Sequence, residues 1–360
     1  MGFFSKLFGK SDSKSTPKGF EELMVREVRS LSPDTVEIRF EIPNTVRPKY
    51  NFVPGQYVNV HVTIDGKDYR RSYSLCSHPN DILAIAVKKV DQGIVSTYLT
   101  SKLDQGNYLL VSTPEGNFTL NNNKNIVAIA AGSGITPIMS MAKSIEKSND
   151  ANIQLFYANK TQNDVLFKEE LKDFQRTNTT YFFTKEAVEG AQAGRITKES
   201  FTEMIKANLS LLKADGFYIC GPEEMIFAVK EVLEVFGVAK DKVHFELFTT
   251  PTATENATPV GTETGFKGDA AVTVILDGEE FNFKSGSDGR TILDNLMNDG
   301  ADAPYSCRGG VCSSCKAKVV EGTVKMNLNY TLTDKEIAEG YILTCQSHPT
   351  SEKVKITFDA

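Results

Sequence analysis

Four of the six cysteines lie near the carboxyl end of the chain, and their spacing carries the most specific chemistry. Three follow the pattern Cys307-x4-Cys312-x2-Cys315, and Cys345 comes after 29 further residues. Thiolates are soft ligands that suit Fe–S and Zn sites, and this spacing is typical of plant-type [2Fe–2S] sites. Structural zinc modules usually use paired CxxC knuckles, which fit the four-residue gap poorly. We therefore predict that these four cysteines hold a [2Fe–2S] cluster.

A second motif combines arginine with an aromatic residue in the sequence RRSYSL, residues 70–75. Alternate side chains of a strand share a face, so Arg71 and Tyr73 are expected to point together. An arginine can hold a phosphate while an aromatic ring stacks on a planar cofactor. Downstream, residues 93–96 (GIVS) precede the run Thr97 to Leu103, which can begin a helix whose free N–H groups suit pyrophosphate. Taken alone, the motif could equally be an exposed strand.

A glycine-rich turn, GSGITP at residues 132–137, follows the apolar run Ile126 to Ala131. Glycines let the backbone approach a phosphate, and Pro137 suits the first turn of a helix. The turn departs from the dinucleotide fingerprint GxGxxG at its last position, and no acidic residue closes the second strand, where residues 159–161 read Asn-Lys-Thr. Without the rest of the chain, a tight strand-to-helix turn is an equal interpretation.

The fourth motif, Cys220-Gly221, follows a short apolar strand. Ligands of open α/β sheets bind at the carboxyl ends of the strands, which is where this pair lies. Without neighbouring motifs, Cys220 would be interpreted as a small buried apolar residue, as we expect Cys76 to be.

The elements that must position these motifs change in character along the chain. Short β-rich runs separated by turn signals predict a small β-barrel with strands at 35–40, 57–64, 82–90 and 108–112. Alternating strands and helices then predict a doubly wound parallel sheet. A Thr-rich stretch then predicts an extended linker, and Asp277-Gly278 predicts a hairpin in the last domain. The expected organisation is a leader (1–18), a β-barrel domain (19–120), an α/β domain (121–248), a linker (249–267) and a cysteine-bearing domain (268–360).

Composition excludes several classes of protein. The 360 residues are 40% hydrophobic, which suits two or three packed domains, and the net charge of −6 argues against nucleic acid as the main partner. No apolar run approaches the ~20 residues that span a bilayer. The first ten residues lack the features of a signal peptide, so a cytoplasmic location is expected. They are interpreted as a frayed leader, with a short amphipathic helix as the alternative.

These four motifs, in this order, resemble the ferredoxin–NADP reductase superfamily carrying a C-terminal plant-type ferredoxin domain, over residues 19–360. Within it, the segments YILTCQ (341–346), NYTL (329–332) and GSGITP (132–137) are similar to the reductase components of phenylacetyl-CoA epoxidase, a multicomponent oxygenase. Reductases of steroid-hydroxylating oxygenases share the layout. The resemblance implies a flavin-binding β-barrel, a nucleotide-binding α/β domain and an α+β ferredoxin domain of the β-grasp type.

The resemblance also implies roles by position. Ser74, Cys220 and Glu246 match the catalytic positions. The positions that match cofactor-binding residues are Arg71, Tyr73, Ser74, Gly93, Val95 and Ser96 for the flavin; Gly132, Gly134, Thr136, Pro137 and Gly221 for the nicotinamide nucleotide; and Phe248 as a cover for the flavin ring. FAD is favoured, although a related group uses FMN. Lys160 could meet the 2′-phosphate of NADPH, which gives that coenzyme a slight preference over NADH.

The function implied is that of an enzyme, an NAD(P)H-dependent flavoprotein oxidoreductase. Electrons pass from NAD(P)H through FAD and the cluster to an oxygenase component, as in phenylacetyl-CoA epoxidase. Residues 268–360 carry 14 Asp and Glu against 9 Lys and Arg, a net charge of −5, which predicts docking to a basic patch on that partner. The alternatives are a reductase for another hydroxylase, a general flavin-dependent reductase, or a redox sensor whose cofactors report rather than turn over.

Overall fold

The computed structural model describes residues 16–17, 19–248, 260–261, 265–287 and 289–360. The expected leader except for residues 16–17, and the expected linker except for residues 260–261 and 265–267, lie outside this part of the chain.

The first domain is a six-stranded antiparallel sheet that closes on itself, with strand order β4-β3-β6-β1-β2-β5. Its two edges are joined after β4, where Cys76 N donates to Ala84 O at 2.9 Å. Inward-facing aliphatic side chains fill the barrel, including Leu23, Ile38 and Val60. The elements are β1 (Phe20–Ser32), β2 (Thr35–Glu41), β3 (Tyr57–Ile64), β4 (Lys67–Ser74), β5 (Ala84–Lys88), α1 (Ile94–Ser101) and β6 (Tyr108–Ser112).

The second domain is a parallel sheet with strand order β10-β9-β8-β7-β11-β12 and apolar cores on both faces. The chain builds outward from β7 on one side and then returns to β11 on the other, so the strand order reverses between β7 and β11. The elements are β7 (Asn125–Ala131), α2 (Ile135–Ser148), β8 (Asn152–Asn159), α3 (Lys168–Asp173), β9 (Thr177–Phe183), β10 (Gln192–Ala193), α4 (Lys198–Ala207), β11 (Gly216–Cys220), α5 (Glu223–Val235) and β12 (Val243–Glu246).

The third domain has a mixed five-stranded sheet, order β15-β14-β20-β16-β18, packed against helix α6. A small second sheet joins β13 (Val260–Gly261) to β17 and β19. The remaining elements are β14 (Asp269–Leu276), β15 (Glu279–Gly286), α6 (Ile292–Asn298), β16 (Lys316–Glu321), β17 (Val324–Met326), α7 (Asp334–Ala338), β18 (Tyr341–Leu343), β19 (Ser347–Pro349) and β20 (Lys353–Thr357). The barrel, the doubly wound sheet and the α+β domain confirm the predicted fold class.

An ion-pair network built on one buried carboxylate joins the first two domains. Glu37 on β2 is 1% exposed and accepts from Arg29 at 3.0 Å and from Arg39 at 2.9 Å. Arg29 also donates to Glu170 on α3 at 2.9 Å, and Glu170 pairs with Lys143 on α2 at 2.9 Å. Since a buried charge that loses its partner is costly, this network fixes the orientation of the α/β domain on the barrel.

Candidate functional site

The four predicted cluster cysteines come together in the structure as two pairs. The thiols of Cys307 and Cys312 are hydrogen-bonded to each other, as are those of Cys315 and Cys345. A two-iron cluster needs two thiolates at each iron, which two adjacent pairs can supply. The donor set therefore fits a [2Fe–2S] group, of which each pair of thiolates would hold one iron.

The loop around these thiols is shaped to point backbone N–H groups at sulfur. Gly309 N donates to Cys307 Sγ at 3.3 Å, and hydrogen bonds from the Cys312 thiol and from the loop backbone lower the pKa of Cys307. Gly310 has φ +73°, and a side chain there would lie 3.0 Å from Leu328 O. The tight, glycine-dependent path is what lets the backbone approach a cluster closely.

Thr344 and Gln346 flank the distant Cys345, and our sequence analysis gave neither a role. Thr344 is fully buried and its Oγ1 donates to Cys315 O at 3.0 Å, while Gln346 Nε2 donates to Arg308 O at 2.9 Å. These bonds tie the Cys345 segment to the loop that carries the other three thiols. The sequence feature that could have indicated their role is the presence of a polar residue on each side of Cys345.

On β4, Arg71 and Tyr73 share a face, opposite Val60 and Val58 of β3. Arg71 is exposed and free to extend to a phosphate, its Nη1 now donating to Arg70 O at 2.7 Å. Tyr73 packs against the barrel core, and burial raises its pKa. This pair can hold a flavin phosphate and the flavin ring.

The predicted phosphate segment opens helix α1, which begins at Ile94, earlier than the run from Thr97 that we expected. A side chain at Gly93 would lie 2.5 Å from Ser96 Oγ, so this position requires glycine. Ser96 Oγ accepts from Val90 N at 3.1 Å and donates to Gly93 O at 3.3 Å, while Val95 is buried. Ser96 and Val95 therefore hold the loop in place, and the amides of the first turn remain for an anion.

The three residues predicted as catalytic meet where the barrel joins the α/β domain. Ser74 Oγ donates to Glu246 Oε2 at 3.2 Å, and Glu246 lies beside Cys220 in the register of β11 and β12. Burial raises the pKa of Glu246 to about 8, with the Ser74 hydrogen bond acting in the opposite direction. Burial, together with the nearby Glu246 charge, raises the pKa of Cys220. A neutral carboxyl at pH 7 can hold a proton beside the serine hydroxyl.

The glycine-rich turn sits at the point where the strand order reverses. A side chain at Gly134 would lie 2.1 Å from Cys220 O, and one at Gly221 would lie 3.2 Å from Ala131 N. Both glycines are therefore needed to bring the ends of β7 and β11 together. Gly132 has φ +53° and open space beside it, which leaves room for a phosphate.

Further residues hold this turn in shape. Thr136 Oγ1 donates to Ser133 O at 3.0 Å, and Pro137 is buried in the first turn of α2. Tyr157, on β8, donates its hydroxyl to Gly132 O at 3.1 Å, and our sequence analysis did not name it. Phe248 lies two residues beyond Glu246 and is 42% exposed, which leaves one ring free to cover a ligand.

Lys160 lies exposed at the end of β8, next to the turn. The nearby Asp164 is an acidic residue that sequence reasoning did not weigh, but its carboxylate accepts from Thr161 N at 2.9 Å and from Thr161 Oγ1 at 2.7 Å. These bonds form a capping box that ties Asp164 to Thr161 within its own turn.

The cluster loop contacts the barrel through Tyr57, which sequence reasoning missed entirely. Ser313 N donates to the Tyr57 hydroxyl at 3.2 Å, and Ser314 Oγ shares a hydrogen bond with the same hydroxyl at 3.2 Å. Tyr57 is also the β3 partner of Ser74. Tyr57 therefore contacts the loop that carries Cys312 and Cys315 and also pairs with Ser74, the residue that donates to Glu246.

Three domain families match this chain in the order in which the structure shows the domains. An oxidoreductase FAD-binding domain matches residues 22–120, an oxidoreductase NAD-binding domain matches 128–231, and a 2Fe-2S iron-sulfur cluster binding domain matches 274–350. Together with the site, these matches define a flavoprotein oxidoreductase with an FAD domain, a nicotinamide nucleotide domain and a [2Fe–2S] domain.

Full-length relatives share this organisation. The chain is 34% identical to one of the subunits of 1,2-phenylacetyl-CoA epoxidase from Escherichia coli, over 95% of this chain and 98% of that protein. It is 32% identical to the ferredoxin reductase component of 3-ketosteroid-9-alpha-monooxygenase from Rhodococcus rhodochrous, over 93% and 96%. The chain belongs to this family of iron–sulfur flavoprotein reductases. This confirms the predicted superfamily and enzyme class, and the prediction of FAD, a nicotinamide nucleotide and a [2Fe–2S] cluster.

A solved structure shows the same three-domain fold. Phthalate dioxygenase reductase matches with a TM-score of 0.58 at 23% identity, over 94% of this chain and 98% of that one. Among the described residues, no helix has the length and apolar character needed to cross a membrane.

We predict that Tyr57→Phe slows reduction of the cluster about tenfold, because the cluster loop loses two hydrogen bonds to the barrel. Reduction of the flavin by the nicotinamide nucleotide is expected to stay at the wild-type rate. Anaerobic stopped-flow spectroscopy separates the two steps.

The control is Tyr50→Phe, which removes another buried barrel hydroxyl, one that donates to Val111 O at 2.8 Å. Equal slowing of cluster reduction in both variants would show that Tyr57 has no particular part in this contact.

Glu246 predicts a pH dependence of stability. Its pKa of about 8 lies above the ordinary value of 4.5, so the folded state holds a proton that the unfolded state releases. The stabilising contribution is present at low pH and is lost as the pH rises through about 8. Glu246→Gln removes this contribution, so the melting temperature of the variant minus that of the wild type should increase from pH 5 to pH 9. Parallel profiles by thermal unfolding would refute the assignment.

Proposed function

We propose that this chain is the reductase component of a multicomponent oxygenase of the phenylacetyl-CoA epoxidase kind, with a hydroxylase of another substrate as the second candidate. The observation that carries the proposal is the contact of the cluster loop with Tyr57, at the end of the strand pair that bears Ser74. A nicotinamide nucleotide gives up two electrons as a hydride, and the flavin and cluster, when bound, convert that pair into single electrons. The Tyr57 contact places the cluster loop against the barrel that we assign to the flavin, as this electron transfer requires.

The chain's own residues supply binding and orientation for this task. We assign Arg71 and the first turn of α1 to the flavin phosphates, and Tyr73 with Ser74 to the ring. Phe248 is assigned as the cover of that ring. We assign Ser74, Cys220 and Glu246 to the place where the nicotinamide approaches the flavin. Ser74 and Cys220 are buried and Ser74 donates to Glu246, which helps to exclude water from that place.

The acceptor is proposed from the relatives and from charge. The relatives include reductases named for an epoxidase, a ketosteroid monooxygenase and a glycine betaine monooxygenase. The net charge of −5 on residues 268–360, together with the negative charge of a thiolate-bound cluster, favours a basic docking patch on the oxygenase. The electron transfer rate should then fall as ionic strength rises. We also propose a cytoplasmic location. We further propose that the linker lets the last domain move.

A general reductase is the competing function, since the chain is also 32% identical to a relative named as an NADH oxidoreductase from Escherichia coli, over 91% of this chain. The two functions differ in whether electrons must leave through the cluster. An oxygenase reductase needs the cluster to reach its partner, whereas a general flavin reductase does not.

Cys312→Ser tests this difference, with the basic one-electron acceptor cytochrome c as the probe. We expect the variant to keep flavin reduction by NAD(P)H and to lose most cytochrome c reduction, because one iron loses a ligand. The matched control is Cys76→Ser, the same exchange at a buried cysteine in the barrel. Full cytochrome c reduction in Cys312→Ser would favour the general reductase. Adding a candidate oxygenase component then tests the partner itself.

We also propose NADPH as the preferred coenzyme, with Lys160 as the residue that meets the 2′-phosphate. Lys160→Ala should lower kcat/KM for NADPH about tenfold and leave NADH nearly unchanged, since an ion pair to phosphate of this kind contributes about 1.4 kcal/mol. The control is Lys172→Ala, an exposed lysine on α3. A wild-type preference for NADH, or equal losses with both coenzymes, would contradict the assignment.

A further inference from the structure

Arg70, on the face of β4 opposite Arg71, is a deeply buried charged contact between the barrel and the third domain. Its side chain is 6% exposed. Nη2 donates to Asp302 Oδ1 at 2.5 Å, and Nη1 donates to Ala303 O at 3.3 Å. A guanidinium that is buried and paired in this way acts as a latch between the two domains.

The contact around this latch is aromatic and polar. The Tyr305 ring contacts two guanidinium groups, with its centroid 5.0 Å from Arg70 Cζ and 4.6 Å from Arg308 Cζ. Next along β4, Ser72 Oγ and Ser306 Oγ share a hydrogen bond of 2.7 Å. Carboxylate, aromatic ring and hydroxyl together make a surface that recognises an arginine. We define residues 302–306 with Ser313 and Ser314 as the latch face.

The latch face is continuous with the cluster loop. Ser306 directly precedes Cys307, and Ser313 and Ser314 stand between Cys312 and Cys315. Electron transfer slows steeply with distance, so an acceptor protein gains most by approaching the cluster at this same surface. In the structure that surface is covered by Arg70, Tyr57 and Asn59 of the barrel.

We propose that the third domain uses its latch face twice, first against the barrel to receive an electron and then against the acceptor protein to deliver it. Docking on the barrel and docking on the acceptor therefore exclude each other. The acceptor is a protein that presents a guanidinium to Asp302 and Tyr305 where Arg70 does so here. This inference rests on the proposed function and adds the surface and the partner chemistry.

Delivery is a one-electron step in which no proton moves. With its cluster bound, the domain would give up one electron from that cluster, and the probe, cytochrome c, would be reduced by the same electron. Since Asp302 remains 56% exposed in the docked arrangement, its carboxylate can begin to attract a cationic acceptor before the latch opens.

The test compares Arg70→Gln and Asp302→Asn in the full-length, cofactor-loaded protein. Arg70→Gln should slow flavin-to-cluster transfer about tenfold, while reoxidation of the prereduced cluster by cytochrome c stays equal or becomes faster. Asp302→Asn should slow both transfers about tenfold, because the latch face loses the carboxylate that pairs with Arg70 and with the guanidinium of the acceptor. The matched control, Glu352→Gln, removes the same charge at an exposed position beside β20 and should change neither by more than about twofold.

Hydrogen exchange of the same proteins gives a readout independent of turnover. Both latch variants should exchange faster in the segments 57–61 and 302–315, where Ser313 N is protected by the Tyr57 hydroxyl. Glu352→Gln should keep the wild-type pattern.

Either of two kinetic results would overturn the inference: Asp302→Asn slowing only the transfer from flavin to cluster, or Arg70→Gln slowing delivery as much as uptake. Unchanged exchange in both latch variants would overturn it as well. Failure of the wild-type cluster to be reduced by NAD(P)H would instead count against the proposed function, so the two failures are distinguishable.

Discussion

The side-chain alternation of strand β4 organises all three domains. Along one face, Arg70, Ser72 and Ser74 meet Asp302, Ser306 and Glu246, which belong to the two other domains. The opposite face carries Arg71 and Tyr73, the residues assigned to the flavin. Because the period of a strand is two, a shift of one residue in the pairing of β4 with β3 would exchange these faces. The extended antiparallel pairing of β3 and β4, from Tyr57–Ser74 to Ile64–Lys67, prevents that exchange.

This arrangement works only if the barrel and the α/β domain hold a fixed orientation, since Ser74 and Glu246 come from different domains. The buried carboxylate of Glu37, with Arg29 and Arg39, supplies that rigidity through Glu170. The contact with the third domain is more polar, and it depends on one buried arginine and a few hydroxyl groups. The stronger ion-pair contact keeps the barrel and the α/β domain together, while the weaker polar contact suits a third domain that we propose dissociates from the barrel to reach its acceptor.

The sequence was most informative where chemistry constrains spacing. The Cys307-x4-Cys312-x2-Cys315 pattern predicted thiols that the structure does bring together, and Gly134 and Gly221 stood at positions where a side chain would meet backbone atoms. The period-two rule predicted that Arg71 and Tyr73 share one face, and the pairing of β4 with β3 puts them there. Each of these predictions depends on residues that are close together in the sequence, so a short pattern is enough to make it.

The contacts between domains could not be predicted in this way. Tyr57 and Arg70 are 256 and 232 residues from Ser313 and Asp302, and nothing in either segment marks the other. Strand β1, Phe20–Ser32, was also missed, since its charged residues interrupt the apolar alternation. The start of α1 at Ile94 differed from expectation because Gly93, rather than a capping side chain, begins the helix.

An anaerobic titration of the loaded protein with NADPH and then NADH, followed by visible spectroscopy, tests whether electrons pass through all three domains. We expect the flavin absorbance and the broad iron–sulfur band to bleach in the same titration, since one chain carries the whole path. Bleaching of the flavin with no change in the second band would contradict it, because electrons would then stop at the barrel.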